Sequence, residues 1–377
     1  MTPTLRIGLD AHMVGGKETG NETYVRGLVD GLSALEGDFD LSVYHLGAPW
    51  RSDGPHVHFR RLTTGSSLLR LAADLPVRAA RERLGVLHTT YAAPLLATCP
   101  VVVTVHDISF VAHPEWFSAR DLRVLSLTVP WSMRRAARIV TVSEVCRAEI
   151  IEHYRVAEER VVAIPNGAGP AAQSLTEAEA KDELGRLGLE AHRPYLLAVG
   201  NLQPRKNLPR LIDAFGRLLA GGLAVDLVIA GPRHYLGEQV LAAGRQVGDK
   251  VHFTGYLGDR QLAACYRGAE AFVFPSLYEG FGIPALEAMA HGVPVASSRG
   301  GALPEVCGDA ALYFDALDVD SIEDALRRVL TDTELRAGLI KAGRARGREF
   351  SWSRSAEQTL AVYRAVGGFS DASASSR

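Results

Sequence analysis

The chain has 377 residues, and its 41 lysines and arginines against 43 aspartates and glutamates give a formal net charge of −2. One hydrophobic core rarely grows beyond about 250–300 residues, so this length predicts more than one domain. The near-neutral charge argues against a dedicated nucleic-acid-binding protein, which usually carries a basic excess.

Short apolar runs rich in β-branched residues alternate with amphipathic segments along the chain. The runs are continuous rather than alternating with polar residues, which is typical of parallel strands covered by helices on both faces. In the first half we predict strands at residues 6–12, 41–46, 101–107, 138–144 and 161–167. In the second half we predict strands at residues 195–201, 226–232, 251–256, 271–276 and 294–298.

Amphipathic helices are predicted between these strands. We predict helices at 21–35 and 207–220, a short polar helix around Leu184, and a last helix at 351–366 with Ser351 or Ser353 as its N-cap. Strand–helix alternation that occurs twice predicts an α/β protein of two doubly wound, Rossmann-like domains.

A stretch without a predicted strand separates the two groups of strands. Residues 168–193 are rich in alanine, glycine and glutamate, which predicts an interdomain linker. We therefore expect an N-terminal domain at 1–170, a C-terminal domain at 171–350, the last helix at 351–366 and a disordered tail at 367–377.

Ligands of an open α/β sheet bind beyond the carboxyl ends of its strands, so we expect catalytic and ligand-binding residues in the loops after the predicted strands. After strand 271–276, Glu279 lies in a glycine-bearing loop, and Glu287 lies on a helix that begins near Pro284. Unpaired N–H groups at a helix start bind anions, and a carboxylate accepts two hydrogen bonds from a vicinal diol. Together these groups fit a nucleotide sugar.

Each part of this segment also has a simpler interpretation. Glu287 could be a carboxylate that interacts only with the helix dipole, and Gly280 and Gly282 could be ordinary turn residues. The combination of a loop carboxylate, glycines and a helix carboxylate is more specific than any one of its parts.

Two cations follow the strand that ends at Gly200. Arg205 and Lys206 directly precede a helix for which Asn207 is the predicted N-cap. Positive charge at this position suits a diphosphate leaving group. Taken alone, the pair would be a solvated basic turn, and its place after a strand favours the functional interpretation.

The first half offers a weaker candidate for a phosphate contact. Gly15, Gly16 and Gly20 lie in a loop that follows the first strand and opens a helix, where a doubly wound domain contacts phosphate. The loop lacks the G-x-G-x-x-G pattern, so dinucleotide binding has little support. Gly20 and Asn21 would serve equally well as a turn and an N-cap.

A histidine follows the most apolar run of the first half. His106 lies at the carboxyl end of the strand, where it would donate to a sugar hydroxyl or carbonyl. A structural pairing with Asp107 is an equally good interpretation of the same two residues.

Two D-x-D strings, a pattern that can hold a metal-bound nucleotide diphosphate, occur in the chain. Asp38 and Asp40 lie between a predicted helix and a predicted strand, and Asp320 of the Asp318–Asp320 string is a natural N-cap. We interpret both strings as structural and predict no metal site.

Other features bear on the compartment. No apolar run reaches the roughly 20 residues that span a bilayer, and the first residues do not resemble a secretory signal. Scattered cysteines without a C-x-x-C pair are typical of reduced thiols in the cytoplasm; they are Cys99, Cys146, Cys265 and Cys307. Segment 68–84 mixes leucines with arginines and has two interpretations. It would contact anionic lipid, or it would simply be a solvated helix packed on the sheet. Its arginines are Arg70, Arg78, Arg81 and Arg83.

The segment EGFGIPALEAMAHGVPV closely resembles the E-x(7)-E motif of the retaining glycosyltransferases of family 4. The resemblance covers nearly the whole chain, because TGNETYVRGL, TVHDISF, IVTVSE, IPNG, PRKNL, LVIAGP, FTGYL and FSW occur in the family's order. It implies the GT-B fold, in which two Rossmann-like domains face each other across a cleft. The helix after Phe350-Ser351-Trp352 would cross back onto the N-terminal domain.

The resemblance also implies roles for single residues. Glu287 would hold the ribose of the nucleotide, and Glu279 would contact the transferred hexose. Lys206 would neutralise the diphosphate, and His106 would lie by the transferred sugar. The remaining donor contacts would come from Gly280, Phe281, Gly282 and Ile283, and from the loop of Gly15, Gly16 and Gly20 against the donor phosphate.

One departure from the family pattern concerns the diphosphate. Many relatives carry an arginine immediately after the glycine that ends the strand, and this chain has Asn201 there. Arg205 would supply the missing charge, although its position directly before Lys206 differs from the family's arrangement.

These expectations combine into one function. The resemblance implies transfer of a mannose- or glucose-type hexose from a nucleotide diphosphate sugar to a glycan or lipid-linked acceptor, with retention and without a bound metal or other cofactor. We expect a cytoplasmic enzyme with weak peripheral contact at the inner face of the membrane, and no nucleic-acid partner. The alternatives are an NAD-dependent oxidoreductase, which the missing G-x-G-x-x-G pattern disfavours, and a non-catalytic nucleotide-sugar-binding module.

Overall fold

The computed structural model describes residues 4–16, 19–169, 175–189, 193–234 and 237–368. The chain divides into two compact units, one of Met1–Gly167 with Ser351–Arg377 and one of Ala168–Phe350. Parts of the predicted linker (170–174 and 190–192) and most of the predicted tail (369–377) lie outside the described residues. Each unit is described by itself.

The N-terminal unit is built on a parallel sheet of seven strands in the order β3-β2-β1-β4-β5-β6-β7. The five apolar runs predicted from the first half of the sequence form five of these strands, and most side chains of the inner strands are buried on both faces. The strands are β1 (Leu5–Asp10), β2 (Phe39–His45), β3 (Val57–Arg61), β4 (Val86–Thr90), β5 (Val101–Thr104), β6 (Arg138–Thr141) and β7 (Val161–Ala163).

Helices connect these strands. α5 begins at the N-cap Ser118, whose side chain accepts a hydrogen bond from the Asp121 N–H, and α6 begins in the same way at Ser143. The helices are α1 (Thr19–Ser33), α2 (Ser67–Leu69), α3 (Leu75–Arg81), α4 (Ser109–Ala112), α5 (Ala119–Arg135) and α6 (Glu144–Tyr154), with a π-helical turn at Arg70–Asp74.

The C-terminal unit repeats this design with a parallel sheet of six strands in the order β10-β9-β8-β11-β12-β13. The strand order reverses between β8 and β11, as it does between β1 and β4 in the first sheet. The strands are β8 (Tyr195–Val199), β9 (Asp226–Ala230), β10 (Val251–Gly255), β11 (Ala271–Phe274), β12 (Val295–Ser297) and β13 (Ala311–Tyr313).

The helices of the C-terminal unit pack their apolar faces on the sheet. In α8, the side chains of Leu211, Phe215 and Leu218 are fully buried, and such burial contributes roughly 2 kcal/mol for each side chain. The helices are α7 (Glu177–Arg186), α8 (Leu208–Ala220), α9 (Glu238–Val247), α10 (Asp259–Gly268), α11 (Ile283–Ala290), α12 (Leu303–Cys307), α13 (Val319–Thr331) and α14 (Thr333–Gly347).

The last helix, α15 (Trp352–Gly367), belongs to the N-terminal unit and packs on α1. Glycines make room for Trp352, because a Cβ atom at Gly27 would lie 2.0 Å from its ring and one at Gly167 would lie 2.5 Å from its backbone nitrogen. Ser351 caps the helix, which confirms one of the two predicted caps. At its other end, the Tyr363 hydroxyl is hydrogen-bonded to His88 of β4.

The predicted fold class, two doubly wound Rossmann-like domains, is confirmed, and all ten predicted strands form. Three further strands escaped prediction for local reasons. β3 ends on two arginines, β4 carries a histidine and two threonines, and β13 is only three residues long. The four cysteines are free thiols.

Candidate active site

The reversal of strand order in the C-terminal unit opens a crevice beyond the carboxyl ends of β8 and β11, where doubly wound sheets bind ligands. Residues 200–207 follow β8, and residues 275–282 follow β11. The two loops are joined by a backbone hydrogen bond of 2.8 Å from Leu277 N to Arg205 O. The fold therefore brings the predicted cations and the predicted loop carboxylate to one place.

Three charged side chains, which we call the charged triad, meet at these loops. Lys206 Nζ donates to Glu279 Oε1 at 2.6 Å, and Arg205 Nη1 donates to Glu279 Oε2 at 2.9 Å. Burial alone would raise the pKa of Glu279, but the two cations outweigh it and hold this pKa below its ordinary value. Glu279 is therefore ionised, and the two cations leave the triad with one net positive charge.

Lys206 is fixed in place by close contacts on its stem. Gly200 has φ +151°, and a Cβ atom there would lie 2.8 Å from Lys206 Cε. The Lys206 ammonium also lies 5.1 Å from the centre of the Phe274 ring, within cation–π range. Lys206 is 8% exposed, so its charge is largely removed from water.

The backbone of Glu279 is held by a loop that the sequence interpretation missed. Ala302 N donates to Glu279 O at 2.9 Å. The preceding Gly301 has φ +60°, and a Cβ atom there would lie 2.3 Å from Glu279 O. Only glycine fits this approach, so the sequence pair Gly300-Gly301 is a signal that could have been used.

The loop after Glu279 leads into the start of α11. Gly282 occupies the N-cap position with φ +122°, Ile283 is the first helical residue, and Pro284 follows it as predicted. Phe281 is buried and packs edge-on against Phe350, with ring centres 5.7 Å apart. No side chain caps α11 among the described residues. Pro284 has no N–H and Ala285 N donates to Gly282 O at 3.0 Å, so the first turn offers the Ile283 N–H to an anion.

Glu287 lies in the middle of α11 and is 5% exposed. The Tyr266 hydroxyl donates to Glu287 Oε2 at 2.9 Å. Burial raises the pKa of Glu287 to about 7, the hydrogen bond from Tyr266 opposes this rise, and the Asp259 charge adds to it. Glu287 thus titrates near neutrality, unlike Glu279.

Asn207 and Asp320 do not cap their helices as predicted. Asn207 occupies the N-cap position of α8, but its side-chain amide donates to Ala316 O at 2.7 Å instead. Asp318, rather than Asp320, caps α13 by accepting from Asp320 N at 3.0 Å. The structural interpretation of this D-x-D string is correct, with the cap two residues earlier.

In the N-terminal unit, His106 follows β5 as predicted. Its ring packs edge-on against Tyr24, with centres 4.6 Å apart, and against Tyr91 at 5.7 Å. Its Nε2 atom is buried and has no hydrogen-bond partner among the described residues. Burial lowers the pKa of His106 to about 4, although the Asp107 charge opposes this shift, so the ring is neutral at pH 7. Asp107 accepts hydrogen bonds from the backbone and hydroxyl of Ser109.

The predicted glycine loop is only partly described. Gly15 and Gly16 lie in an exposed turn, where Gly15 has φ +86°. Gly20 lies in the first turn of α1 rather than in a loop. Residues 17–18 between them fall outside the described ranges. A phosphate contact of these glycines stays a prediction.

One polar cluster at the end of β1 was not predicted. Asp10 is buried, and its carboxylate lies 3.1 Å from Arg70 Nε and 3.1 Å from His12 Nδ1. Arg70 is one of the arginines of segment 68–84, and its guanidinium is buried against Asp10, so it fits the alternative of a helix packed on the sheet. Arg78 is likewise held by Asp74 at 2.7 Å.

Known protein families match the two halves of the chain separately. The family described as Glycosyltransferase Family 4 matches residues 19–171, and Glycosyl transferases group 1 matches residues 180–346. The O-antigen chain mannosyltransferase B of Escherichia coli is 34% identical over 267 residues, which cover 70% of this chain and 70% of that protein. The chain belongs to glycosyltransferase family 4. The charged triad of this glycosyltransferase lies in the part matched by group 1, and His106 lies in the other part.

Solved structures resemble this glycosyltransferase over nearly its full length. Sucrose-phosphate synthase from Thermosynechococcus elongatus has a TM-score of 0.78 at 22% identity and covers 97% of this chain and 99% of that one. HepE from Anabaena, in complex with UDP and glucose, has a TM-score of 0.71 at 18% identity and covers 96% and 100%. At these identities the likeness concerns the fold alone.

Two further kinds of feature are absent from the described residues. No group of three histidine, cysteine, aspartate or glutamate side chains is placed to share a metal ion in the described part of this glycosyltransferase. None of its described helices is long and apolar enough to cross a membrane.

Proposed function

We propose that this glycosyltransferase moves a mannose- or glucose-type hexose from a nucleoside diphosphate sugar to a glycan or lipid-linked acceptor, with retention of the anomeric configuration. The observation that carries the proposal is the charged triad at the switch point of the second sheet. Support for the donor class comes from HepE, solved with UDP and glucose. Support for mannose comes from the name of the Escherichia coli relative.

The triad suits the departure of a diphosphate. Breaking the bond between the anomeric carbon and the phosphate oxygen leaves extra negative charge on the leaving group. Lys206 and Arg205 are fixed by Glu279, so they need little reorganisation when this charge develops. Arg205 would supply the charge that the family's usual arginine gives at the position of Asn201.

Retention rests on the resemblance to the retaining family, and the contacts of Glu279 bear only on the route by which it would occur. A covalent intermediate would need a free carboxylate oxygen as nucleophile, and both oxygens of Glu279 accept from cations. We propose that the acceptor oxygen attacks on the face from which the diphosphate leaves, and that a phosphate oxygen takes the acceptor's proton. NMR of the product anomer is the test, and an inverted product would contradict the proposal.

The same charges make a bound metal unnecessary in this proposal. Two cations and the Ile283 N–H at the start of α11 would hold the diphosphate in the way that a divalent ion does in other transferases. We expect turnover to be the same with EDTA as with added Mg²⁺, and loss of turnover in EDTA would contradict this part.

A lipid-linked acceptor fits one face of the N-terminal unit. Exposed apolar side chains there are 49–75% accessible, and we call them the leucine face: Leu68, Leu69, Leu95, Leu96, Val124 and Leu127. Their three segments are tied together, because Leu95 N donates to Leu71 O and Ala93 N donates to Ser132 Oγ of α5. Exposed arginines of α5 add positive charge: Arg120, Arg123, Arg134 and Arg135.

We propose that this face contacts an anionic membrane surface, which would place the enzyme in the cytoplasm at the inner leaflet. The wild-type protein should co-sediment with vesicles that contain phosphatidylglycerol and not with pure phosphatidylcholine vesicles. Leu96→Glu combined with Leu127→Glu should abolish binding. Leu317→Glu, at an equally exposed leucine of the C-terminal unit, is the matched control. Equal binding by the double variant would contradict the proposal.

The donor assay tests the central activity. GDP-mannose, UDP-glucose and ADP-glucose should be compared for stabilisation of the folded protein and then for release of nucleoside diphosphate in the presence of acceptor. Binding without release in every combination would instead favour a non-catalytic sugar-nucleotide-binding module. Absence of binding by all three donors would contradict the proposed function.

A further inference from the structure

The Glu287 carboxylate is buried in an almost entirely apolar helix. α11 has the sequence IPALEAMA, so Glu287 is its only ionisable residue, and five other side chains of the helix are buried with it. Among the described residues, no lysine, arginine or histidine lies within ion-pair distance of its carboxylate. A buried carboxylate without a cation is costly to ionise, and hydrogen bonds to the charged form reduce that cost.

The hydrogen bond to Glu287 comes from a side chain that is itself inaccessible. Tyr266 lies on α10 and is 0% exposed, and its hydroxyl lies 2.9 Å from Glu287 Oε2. Its ring stacks on His291, with centres 5.7 Å apart and planes 14° apart, and lies 5.8 Å from the Phe272 ring. Packing on both sides fixes the phenol and therefore fixes which carboxylate oxygen it engages.

We propose that Tyr266 is a positioning residue that holds the Glu287 carboxylate for the two vicinal ribose hydroxyls of the nucleotide and couples nucleotide binding to ionisation of Glu287. This inference rests on the proposed function, because it takes a nucleotide as the ligand. An ionised carboxylate accepts from both hydroxyls, whereas a protonated one has lost part of its acceptor capacity. Nucleotide binding should therefore favour the ionised form.

The groups around Glu287 give the sign of this coupling. The neighbouring elements carry ionisable groups of both signs, and His291 is the C-cap of α11. They are Asp259, Arg260, Cys265, Tyr266 and Arg267 on α10, Glu305 and Cys307 on α12, and Glu334, Arg336, Lys341, Arg344 and Arg346 on α14. Asp259 raises the pKa of Glu287 and Tyr266 lowers it. Loss of the Tyr266 hydroxyl should therefore raise this pKa further and weaken binding at neutral pH.

The test measures affinity between pH 5.5 and 8.5 for a nucleoside diphosphate and for its 2′,3′-dideoxy analogue. In the wild type, affinity for the ribonucleotide should fall about tenfold per pH unit below pH 7. The dideoxy analogue should bind weakly and without this dependence. Tyr266→Phe should begin to lose affinity at a higher pH and recover most of it at pH 8.5. Glu287→Gln should show no dependence.

A matched variant separates positioning from packing. Tyr195 is also buried, and its hydroxyl donates to Cys265 O of α10 at 2.7 Å. Tyr195→Phe therefore removes a buried phenol hydrogen bond from the same helix without touching Glu287, and its pH profile should match the wild type. If Tyr266→Phe binds the nucleotide with the wild-type pH profile, the inference is overturned and the proposed function stands. If no nucleotide binds at any pH, both are overturned.

Discussion

Glu279 and Glu287 stand eight residues apart in one motif, and both are almost fully buried. Their surroundings give them opposite properties. Two cations lower the pKa of Glu279, whereas burial with a single phenol donor raises the pKa of Glu287 to about 7. Depth of burial is the same, so the neighbours decide the charge.

If the proposed donor site is correct, the difference gives the two carboxylates different roles. Glu279 is held in its ionised form and would keep two cations where a leaving diphosphate needs them. Glu287 gains full acceptor capacity only when it loses its proton, which a ribose diol would promote. One carboxylate would then organise charge, and the other would change its ionisation when a ligand binds.

The largest expected effect comes from Lys206→Ala. It removes the more deeply buried cation of the triad and leaves Glu279 with Arg205 alone. We expect turnover to fall about 10³-fold, the scale of losing one transition-state charge contact. Lys181→Ala, at an exposed lysine paired with Glu177, is the control that should keep wild-type turnover. A loss of less than about tenfold in steady-state rate would contradict the role of Lys206.

The pH dependence of stability tests the difference between the pKa values of Glu279 and Glu287. The folded pKa of Glu287 is raised from 4.5 to about 7, so its contribution to stability is fully present below pH 4.5 and is lost as the pH rises through 7. The loss is on the order of 3 kcal/mol. Glu287→Gln should therefore raise the free energy of unfolding, relative to wild type, at pH 8 and not at pH 4.5, as measured with urea.

Glu279 should show the opposite sign. Its folded pKa lies below the ordinary value, so its stabilising contribution is present above pH 4.5 and is lost as the pH falls below it. Glu279→Gln should destabilise the protein at pH 7 and become progressively less harmful in acid. If the free energies of unfolding of Glu279→Gln and Glu287→Gln depended on pH in the same way, the proposed difference between the two carboxylates would be contradicted.

His106→Ala tests a residue outside this pair of carboxylates. The neutral ring is a hydrogen-bond donor or acceptor rather than a cation, and we expect turnover to fall about 10²-fold if it contacts the transferred sugar. Since its pKa is about 4, the rate above pH 5 should show no histidine titration. His113→Ala, at a histidine whose side chain is 40% exposed, is the control, and equal rates for both variants would exclude the role.

The smallest effect is expected from Arg205→Ala. Arg205 donates to Tyr278 O at 3.1 Å as well as to Glu279, and Lys206 would remain to hold the carboxylate. We expect turnover to fall about tenfold. A loss as large as that of Lys206→Ala would mean that Arg205 fully replaces the arginine absent at Asn201.

The sequence predicted ten of the strands and the two doubly wound domains, because these follow from continuous apolar runs. It also placed Arg205, Lys206 and Glu279 in loops at strand ends, where the structure has them. It did not predict which of these residues touch. Lys206 and Glu279 are 73 residues apart, and their pairing depends on the order of β8 and β11 in the sheet. The hydrogen bond between Tyr266 and Glu287 could not be predicted, because a single tyrosine in an amphipathic helix gives no local sign of what its hydroxyl contacts.

The most direct measurement is a crystal structure with the nucleoside diphosphate that stabilises the protein most. We predict both ribose hydroxyls within hydrogen-bond distance of the Glu287 carboxylate and the diphosphate within reach of Lys206 Nζ and the Ile283 N–H at the start of α11. A nucleotide bound elsewhere, or one whose ribose points away from Glu287, would contradict the account.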